Sequence, residues 1–194
     1  MRLFVALNLK DDERKKLYKA AAPLRKSGMP VRWVEQSSLH ITLKFLGDVR
    51  AQNVDAVMHA VAEVAGKAVP HDVKLGGFGA FPTIRRPRII WAGAEARPEL
   101  RSLKHDLEWE LAALGFEREL RAFQPHITLG RADEEAEAGN FRDLETLIAE
   151  IKYKSRIPVR QVDLMSSKLT PDGAVYEVLG SAPVGVPEKR KAAG

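Results

Sequence analysis

Residues 40–43 of the chain read His-Ile-Thr-Leu, and residues 126–129 repeat the same four amino acids. Both copies lie in segments whose composition is typical of β-strands. Because side chains alternate between the two faces of a strand, the histidine and threonine of each copy share one face, and the isoleucine and leucine share the other. The sequence therefore predicts two similar strands, each with an apolar face toward a core and a polar face carrying a titratable ring and a hydroxyl group.

A single copy of this pattern would be interpreted as the solvent face of a half-buried sheet. Two copies favour a shared site, because histidine gives and takes protons near neutral pH and a facing pair can act as general base and general acid. His40 and His126 are therefore the candidate catalytic residues, and Thr42 and Thr128 accompany them. Neither histidine has Asp, Glu or Cys at ligand spacing, so we predict neither a metal ion nor another cofactor.

The overall composition is that of a folded domain. The 194-residue chain is 45% hydrophobic and 29% charged, far from the composition of disordered chains. We predict one domain over residues 1–184 and a disordered tail over residues 185–194. The 31 Lys and Arg residues exceed the 26 Asp and Glu residues, and the formal charge of +5 suits a polyanionic partner without requiring one.

The chain contains no cysteine, which excludes disulfides, thiolate nucleophiles and zinc sites built on cysteine. The expected compartment is the reducing cytoplasm. The N-terminal segment is apolar over only a few residues before it becomes densely charged, so we predict neither a signal peptide nor a membrane partner.

Strand and helix patterns interleave without the strict βαβ rhythm of a parallel doubly wound fold, which predicts an α+β fold with two pseudo-equivalent lobes. Gly76-Gly77-Phe78-Gly79 lacks a following Lys-Ser/Thr and helix, so it is interpreted as a bulge or twist rather than a phosphate loop. A turn is predicted at Pro171-Asp172-Gly173. The predicted strands cover residues 2–9, 31–34, 40–46, 72–81, 88–94, 126–130, 159–169 and 175–179, and the predicted helices cover residues 11–26, 54–64, 100–114 and 141–151.

Six segments, two of which contain the His-Ile-Thr-Leu motifs, resemble one family in their sequence and in their order along the chain. They are RLFVAL (2–7), VRWVE (31–35), HITLKFLGDV (40–49), FPTIRRPRIIWAG (81–93), FQPHITLGR (123–131) and SKLTPDGAVYEVL (167–179). From about Arg2 to Gly180 the chain resembles the 2H phosphoesterases, and within them the RNA 2',3'-cyclic phosphodiesterases, also called 2'-5' RNA ligase-like proteins. The resemblance implies a bilobal fold with pseudo-twofold symmetry, in which each lobe is an antiparallel sheet backed by helices and a central cleft holds both histidine motifs.

The resemblance also implies a reaction. The expected activity is hydrolysis of a terminal RNA 2',3'-cyclic phosphate to a 2'-phosphate, without metal, by a monomer that takes RNA ends or cyclic nucleotides. It assigns His126 as the base and His40 as the acid, although the residues alone do not decide which histidine does which. Thr42 and Thr128 are expected to donate to phosphate oxygens, and Arg131 to add a charge-assisted contact.

Other cations and aromatic residues are weaker candidates for substrate contacts. Lys44 continues the alternation on the face of His40, and Arg88 lies with Arg85 and Arg86 where RNA backbone could bind, although a solvated turn explains these arginines equally well. Trp33, Phe81 and Trp91 could stack on a terminal base, but packing in the core is the more common role of such residues. Two other functions stay open, namely 2'-5' RNA ligation by the reverse reaction and a binding module without turnover.

Overall fold

The computed structural model describes residues 1–170 and 173–186, without the side chains of residues 169, 170 and 173. All strand pairs in this part of the chain are antiparallel. The strands are β1 (Arg2–Asn8), β2 (Val31–Trp33), β3 (His40–Asp48), β4 (His71–Thr83), β5 (Arg86–Ala94), β6 (His126–Ala132), β7 (Lys154–Val159), β8 (Gln161–Thr170) and β9 (Gly173–Pro183). The α-helices are α1 (Asp11–Ala20), α2 (Ala22–Arg25), α3 (Val54–Lys67), α4 (Pro98–Ala112) and α5 (Leu144–Glu150). The predicted α+β fold is confirmed.

The strands form two halves that meet at a narrow seam. The order is β7-β4-β5-β6-β3-β1-β8-β9, and β2 pairs with β6 as well. Between β3 and β6 one residue pair is in register, Ile41 with Ile127. The two predicted sheets are therefore joined into one sheet at its centre, and the seam lies inside the two His-Ile-Thr-Leu motifs.

The helices cover one face of this sheet, which we call the core face. The leucines of α4 at positions 100, 103, 107 and 111 are all buried, as their spacing predicts, and belong to the same apolar core as Leu3, Val5 and Leu7 of β1. Burying each such side chain stabilises the fold by about 1.5–3 kcal/mol. Phe4 of β1 points to the opposite face and contacts His40. We call this second face the site face.

Two predicted elements are divided in the structure. The predicted helix over residues 11–26 is interrupted at Ala21, because Pro23 stands in the first turn of a new helix, where its missing N–H costs nothing. The predicted strand over residues 159–169 corresponds to β8 except for Val159, which ends β7; β7 pairs with β4, β8 pairs with β1, and the sequence patterns did not predict β7. The chain crosses from one half of the sheet to the other at Arg160, and the alternation of buried and exposed residues breaks there, since Arg160 and Gln161 are both exposed.

The glycine cluster forms the predicted bulge. Leu75 pairs with Ala94 and Phe78 with Ala92, so that Gly76 and Gly77 are the irregularity in the β4–β5 register. Gly77 has φ +75, a conformation that favours glycine.

Parts of two predictions at the C-terminal end lie outside the described residues. They are residues 171–172 of the predicted turn and residues 187–194 of the predicted tail. The backbone N–H of Gly185 donates to the carbonyl of Ala65 at 2.9 Å. Across the two described ranges, no helix has the length and apolar character that a membrane span needs.

Candidate active site

The two motifs face each other across the seam. Ile41 and Ile127 are direct partners, and antiparallel strands advance in opposite directions. The next residues in line are therefore His40 with Thr128 on one side and Thr42 with His126 on the other. A pseudo-twofold axis at the isoleucine pair brings both histidines and both threonines to one short stretch of the site face.

A bulge in β3 ends the alternation directly after the first motif. Thr42 pairs with Ala6 and Lys44 pairs with Val5, which leaves Leu43 as an extra residue. As a result Lys44 turns toward the core, where it is 3% exposed, and Phe45 takes the next place on the site face, where it is 68% exposed. The prediction that Lys44 shares the face of His40 is therefore wrong.

Lys44 has a structural partner instead of a substrate position. Its Nζ donates to Glu108 Oε2 at 2.5 Å and to the carbonyl of Glu117 at 2.8 Å. Burial by itself would raise the pKa of Glu108, but hydrogen bonds from Lys104, Lys44 and the N–H of Glu119 outweigh it and lower that pKa. Lys44 thus joins β3 to α4 and to the segment that follows α4.

The second motif has a matching bulge. In β6 the register passes from Thr128 to Gly130 and leaves Leu129 as the extra residue. Arg131 is then exposed on the site face, where its cross-strand partner is Arg32 of β2. Like charges opposite each other on a sheet repel, so this pair of guanidinium groups is suited to an anion between them. Local sequence patterns indicated Arg131 but not Arg32.

The His40 ring is held by a carbonyl and by aromatic rings. Its Nδ1 lies 2.7 Å from the carbonyl oxygen of Ser38, and its Nε2 lies 3.1 Å from Thr42 Oγ1. Because a carbonyl only accepts, Nδ1 must carry the proton in the neutral ring, and Nε2 is the nitrogen available for chemistry. The rings of Phe4 and Tyr176 lie 5.0 and 5.2 Å from the His40 ring.

The His126 ring is held in the same manner. Its Nδ1 lies 2.7 Å from the carbonyl oxygen of Gln124, which again leaves Nε2 available. The rings of Phe81 and Trp91 lie 5.0 and 6.4 Å away. The Trp91 indole lies against Gly79, where a Cβ would come within 2.4 Å of the ring, so only glycine leaves room for the indole in this place.

The electrostatic setting lowers the pKa of both rings in the free protein. Burial is the largest cause that lowers the pKa of His40 from 6.5 to about 4, and the charges of Arg14, Arg131 and His126 lower it further, against the backbone hydrogen bond. Burial and then Arg131 also lower the pKa of His126, with its own backbone hydrogen bond opposing them. An anion bound between the rings would act in the opposite direction on both values.

A polar network stands directly behind His40. Arg14 donates through Nη2 to Asn8 Oδ1 at 3.1 Å and through Nε to the carbonyl of Leu39 at 3.3 Å. Asn8 is the cross-strand partner of His40, and its Nδ2 donates to Asp163 Oδ2 at 2.8 Å. Local sequence patterns did not indicate this network, because its contacts join residues up to 155 positions apart.

Other sequence candidates lie away from the two rings. Arg88 is exposed and is the extra residue where the β4–β5 register shifts, and its Nη1 approaches the carbonyl of Glu134 at 3.5 Å. Its contact with RNA stays a prediction. Trp33 packs against the core and Gly130. Within residues 1–170 and 173–186, no three His, Asp or Glu side chains are grouped so that they could hold a metal ion.

A family model matches the chain in two consecutive segments. The model described as LigT like Phosphoesterase matches residues 7–91 and 93–176. The first segment contains His40 and the second contains His126.

Relatives and solved structures cover nearly the whole chain. The RNA 2',3'-cyclic phosphodiesterase of Thermotoga maritima is 31% identical over 180 residues, which are 92% of this chain and 93% of that protein. The RNA 2',3'-cyclic phosphodiesterase of Archaeoglobus fulgidus is 34% identical over 184 residues, covering 92% and 98%. The crystal structure of TT0787 of Thermus thermophilus has a TM-score of 0.78 at 28% identity, covering 95% of this chain and 98% of that one. Escherichia coli LigT complexed with 3'-AMP has a TM-score of 0.75 at 25% identity, covering 94% and 97%. With its two motifs, its seam and these full-length similarities, the chain belongs to the LigT-like 2H phosphoesterase family.

Proposed function

We propose that this protein hydrolyses the 2',3'-cyclic phosphodiester at the end of an RNA and leaves a 2'-phosphomonoester. The observation that carries the proposal is the pair of histidines across the seam, each with Nδ1 bound to a carbonyl and Nε2 available. The relatives named RNA 2',3'-cyclic phosphodiesterase support the substrate class.

One displacement accounts for the reaction. A water oxygen attacks phosphorus while Nε2 of His126 takes a proton from that water. The bond between phosphorus and the 3' oxygen breaks, and protonated His40 gives its proton to the departing oxygen. The cyclic diester and one water become a 2'-phosphomonoester and a 3'-hydroxyl, and each histidine ends in the protonation state that the other began with. Such acid and base catalysis typically contributes 10²–10⁴-fold each.

The remaining residues stabilise charge on the phosphate. The Thr42 and Thr128 hydroxyls stand across from the opposite histidine and can donate to non-bridging oxygens. Arg131 adds a charged donor on the same face, and Arg32 is its neighbour. These donors, with strain already present in the five-membered ring, let the proposed reaction proceed without a Lewis acid.

The negative charge of the substrate favours the protonated form that His40 needs to act as the acid. In the free protein burial lowers the pKa of His40 to about 4, so His40 is mostly neutral at pH 7. A cyclic phosphate anion between the rings favours the protonated form and raises that pKa on binding. The lowered pKa of His40 in the free protein would by itself suit a base. The family resemblance assigns the acid role to His40, and the pH profiles of His40→Ala and His126→Ala decide between the two assignments.

The test is incubation of the purified protein with an RNA that ends in a 2',3'-cyclic phosphate, with and without a chelator, followed by identification of the product isomer. A 2'-phosphate formed at an unchanged rate in chelator is expected. A 3'-phosphate would overturn the assigned leaving group, and activity that is lost in chelator and restored by one divalent metal would overturn the metal-independent mechanism. A joined 2'-5' product in place of hydrolysis would establish ligation, and binding without turnover would establish a binding module.

A further inference from the structure

A cavity of about 790 Å³ opens beside His126 on the β4–β5 half of the sheet. We call it the His126 cavity. It lies in the size range of small-molecule sites, about 300–1,000 Å³. Among the residues that line it are three aromatic residues and three cations, namely Phe81, Trp91, Phe123, Lys74, Arg101 and Lys154.

Glycine residues lie between His126 and this cavity and leave the space between them unfilled. Gly93 is the cross-strand partner of His126, so the position beside the catalytic ring has no side chain. A Cβ at Gly93 would come within 2.8 Å of the Gly76 carbonyl, which belongs to the β4 bulge. Gly76 and Gly77 line the cavity as well. The β4 bulge and the glycine at position 93 therefore together leave space next to His126.

The charges of the cavity suit a phosphodiester. Its lining holds three cations and one carboxylate, Glu95, whose Oε2 lies 3.9 Å from Lys74 Nζ. Arg101 is anchored at the cavity by a 2.9 Å bond from Nε to the carbonyl of Ala96. Aromatic faces next to cations are the combination by which proteins bind single-stranded nucleic acid, the rings stacking on bases and the cations contacting the backbone.

We propose that the His126 cavity binds the nucleotide that precedes the reacting one in the RNA. Its base lies against the aromatic wall of Trp91 and Phe123, and the phosphodiester that joins it to the reacting nucleotide lies near Lys74 and Lys154. The proposal rests on the proposed function, since it takes His126 as the position of the reacting phosphate. It makes an oligonucleotide end, rather than a free cyclic mononucleotide, the preferred substrate.

The test compares equilibrium binding of two ligands by calorimetry, adenosine 3'-monophosphate and the dinucleotide ApAp with a 3'-terminal phosphate. Wild-type protein should bind the dinucleotide about 10-fold or more tightly than the mononucleotide, since the dinucleotide adds a stacked base and a charge-assisted phosphate contact. In Lys74→Ala/Lys154→Ala this preference should fall to about twofold or less. The matched control is Lys67→Ala, whose side chain is exposed on α3 and paired with Glu63, and it should keep the wild-type preference.

Equal affinity of the wild-type protein for both ligands would overturn the proposal, and so would a double variant that weakens both ligands by the same factor. A parallel turnover assay with the cyclic-phosphate forms of the two ligands separates this inference from the proposed function. If neither cyclic phosphate is hydrolysed, the proposed function fails, while the binding ratio still decides whether the cavity takes a second nucleotide. If both are hydrolysed but bind without preference, the cavity assignment alone fails.

Discussion

The His40 half and the His126 half of the site are built alike up to the bulge and differ after it. In both halves the histidine donates to a carbonyl two residues earlier, an aromatic pair flanks the ring, and the leucine of the motif is the extra residue of a bulge. The position after the bulge is Lys44 in one half and Gly130 in the other. The next position on the site face is Phe45 in one half and Arg131 in the other.

This difference shows that the position of each histidine ring and its pKa have different structural causes. The repeated backbone geometry places two equivalent rings, and the unequal neighbours give them unequal surroundings. Arg131 lowers the pKa of both histidines, whereas Arg14 is among the causes only for His40. A reaction that needs one acid and one base can thus use a nearly symmetric scaffold, provided that the side chains around it are asymmetric.

The largest effect is expected from removing either ring. His40→Ala and His126→Ala should each lower kcat on a cyclic-phosphate RNA by ~10²-fold or more, because each removes one proton-transfer partner. His105→Ala, on the outer helix α4, is the matched control and should keep wild-type turnover. Steady-state kinetics with circular dichroism of each variant makes this measurement. Wild-type turnover in either site variant would contradict the two-histidine mechanism, because one half of the site would then supply no proton-transfer group.

The same variants show which half supplies the base. Wild-type kcat/KM should be bell-shaped in pH, and because burial lowers both histidine pKa values, its optimum should lie on the acid side of 6.5. In His40→Ala the remaining rate depends on His126 alone. If His126 is the base it must be neutral, so the residual rate should rise with pH to a plateau. In His126→Ala the residual rate should fall as pH rises, because His40 must be protonated.

Whether the residual rate of a variant rises or falls with pH does not depend on the pKa values themselves. This test therefore distinguishes the two roles better than the wild-type pH profile does. A residual rate that falls with pH in His40→Ala would exchange the two roles. A flat profile in both variants, with chemistry shown to be rate-limiting, would mean that neither ring transfers a proton.

The two positions after the bulges should respond differently to substitution. Arg131→Leu should lower kcat/KM by ~10–100-fold, since a hydrogen bond to a charged group typically contributes about 1.5–3 kcal/mol. It should also raise the pKa of both histidines, because it removes a charge that lowers them. Phe45→Leu should change kcat/KM by less than about threefold, as is usual for an exposed side chain. Kinetics and NMR titration of the histidines test both statements, and equal effects of the two substitutions would contradict the asymmetry.

The sequence predicted the histidines and threonines of both halves because they precede the bulges, where strand alternation still holds. It misplaced Lys44 because a bulge adds one residue and reverses the side chains that directly follow it. Only the glycine at the matching position, Gly130, hinted at an irregularity there. The contacts of Asn8 with Asp163 could not be predicted, since they depend on which strands become neighbours and not on local periodicity.

At Lys44 the expected effect on activity is as small as at Phe45, and a substitution there tests the bulge. Lys44→Met keeps most of the apolar stem but removes the ammonium from Glu108 and from the carbonyl of Glu117. The free energy of unfolding should fall by about 2 kcal/mol, as for loss of a hydrogen bond to a buried charge, because Glu108 keeps Lys104 and the Glu119 N–H. Adding Glu108→Gln to Lys44→Met should cost less than the sum of the single changes, since the two groups share one network. Chemical denaturation measures these values, and kcat/KM of the folded variant should stay within about threefold of wild type. A variant of unchanged stability whose kcat/KM falls as in Arg131→Leu would instead place Lys44 on the site face, as simple strand alternation predicts.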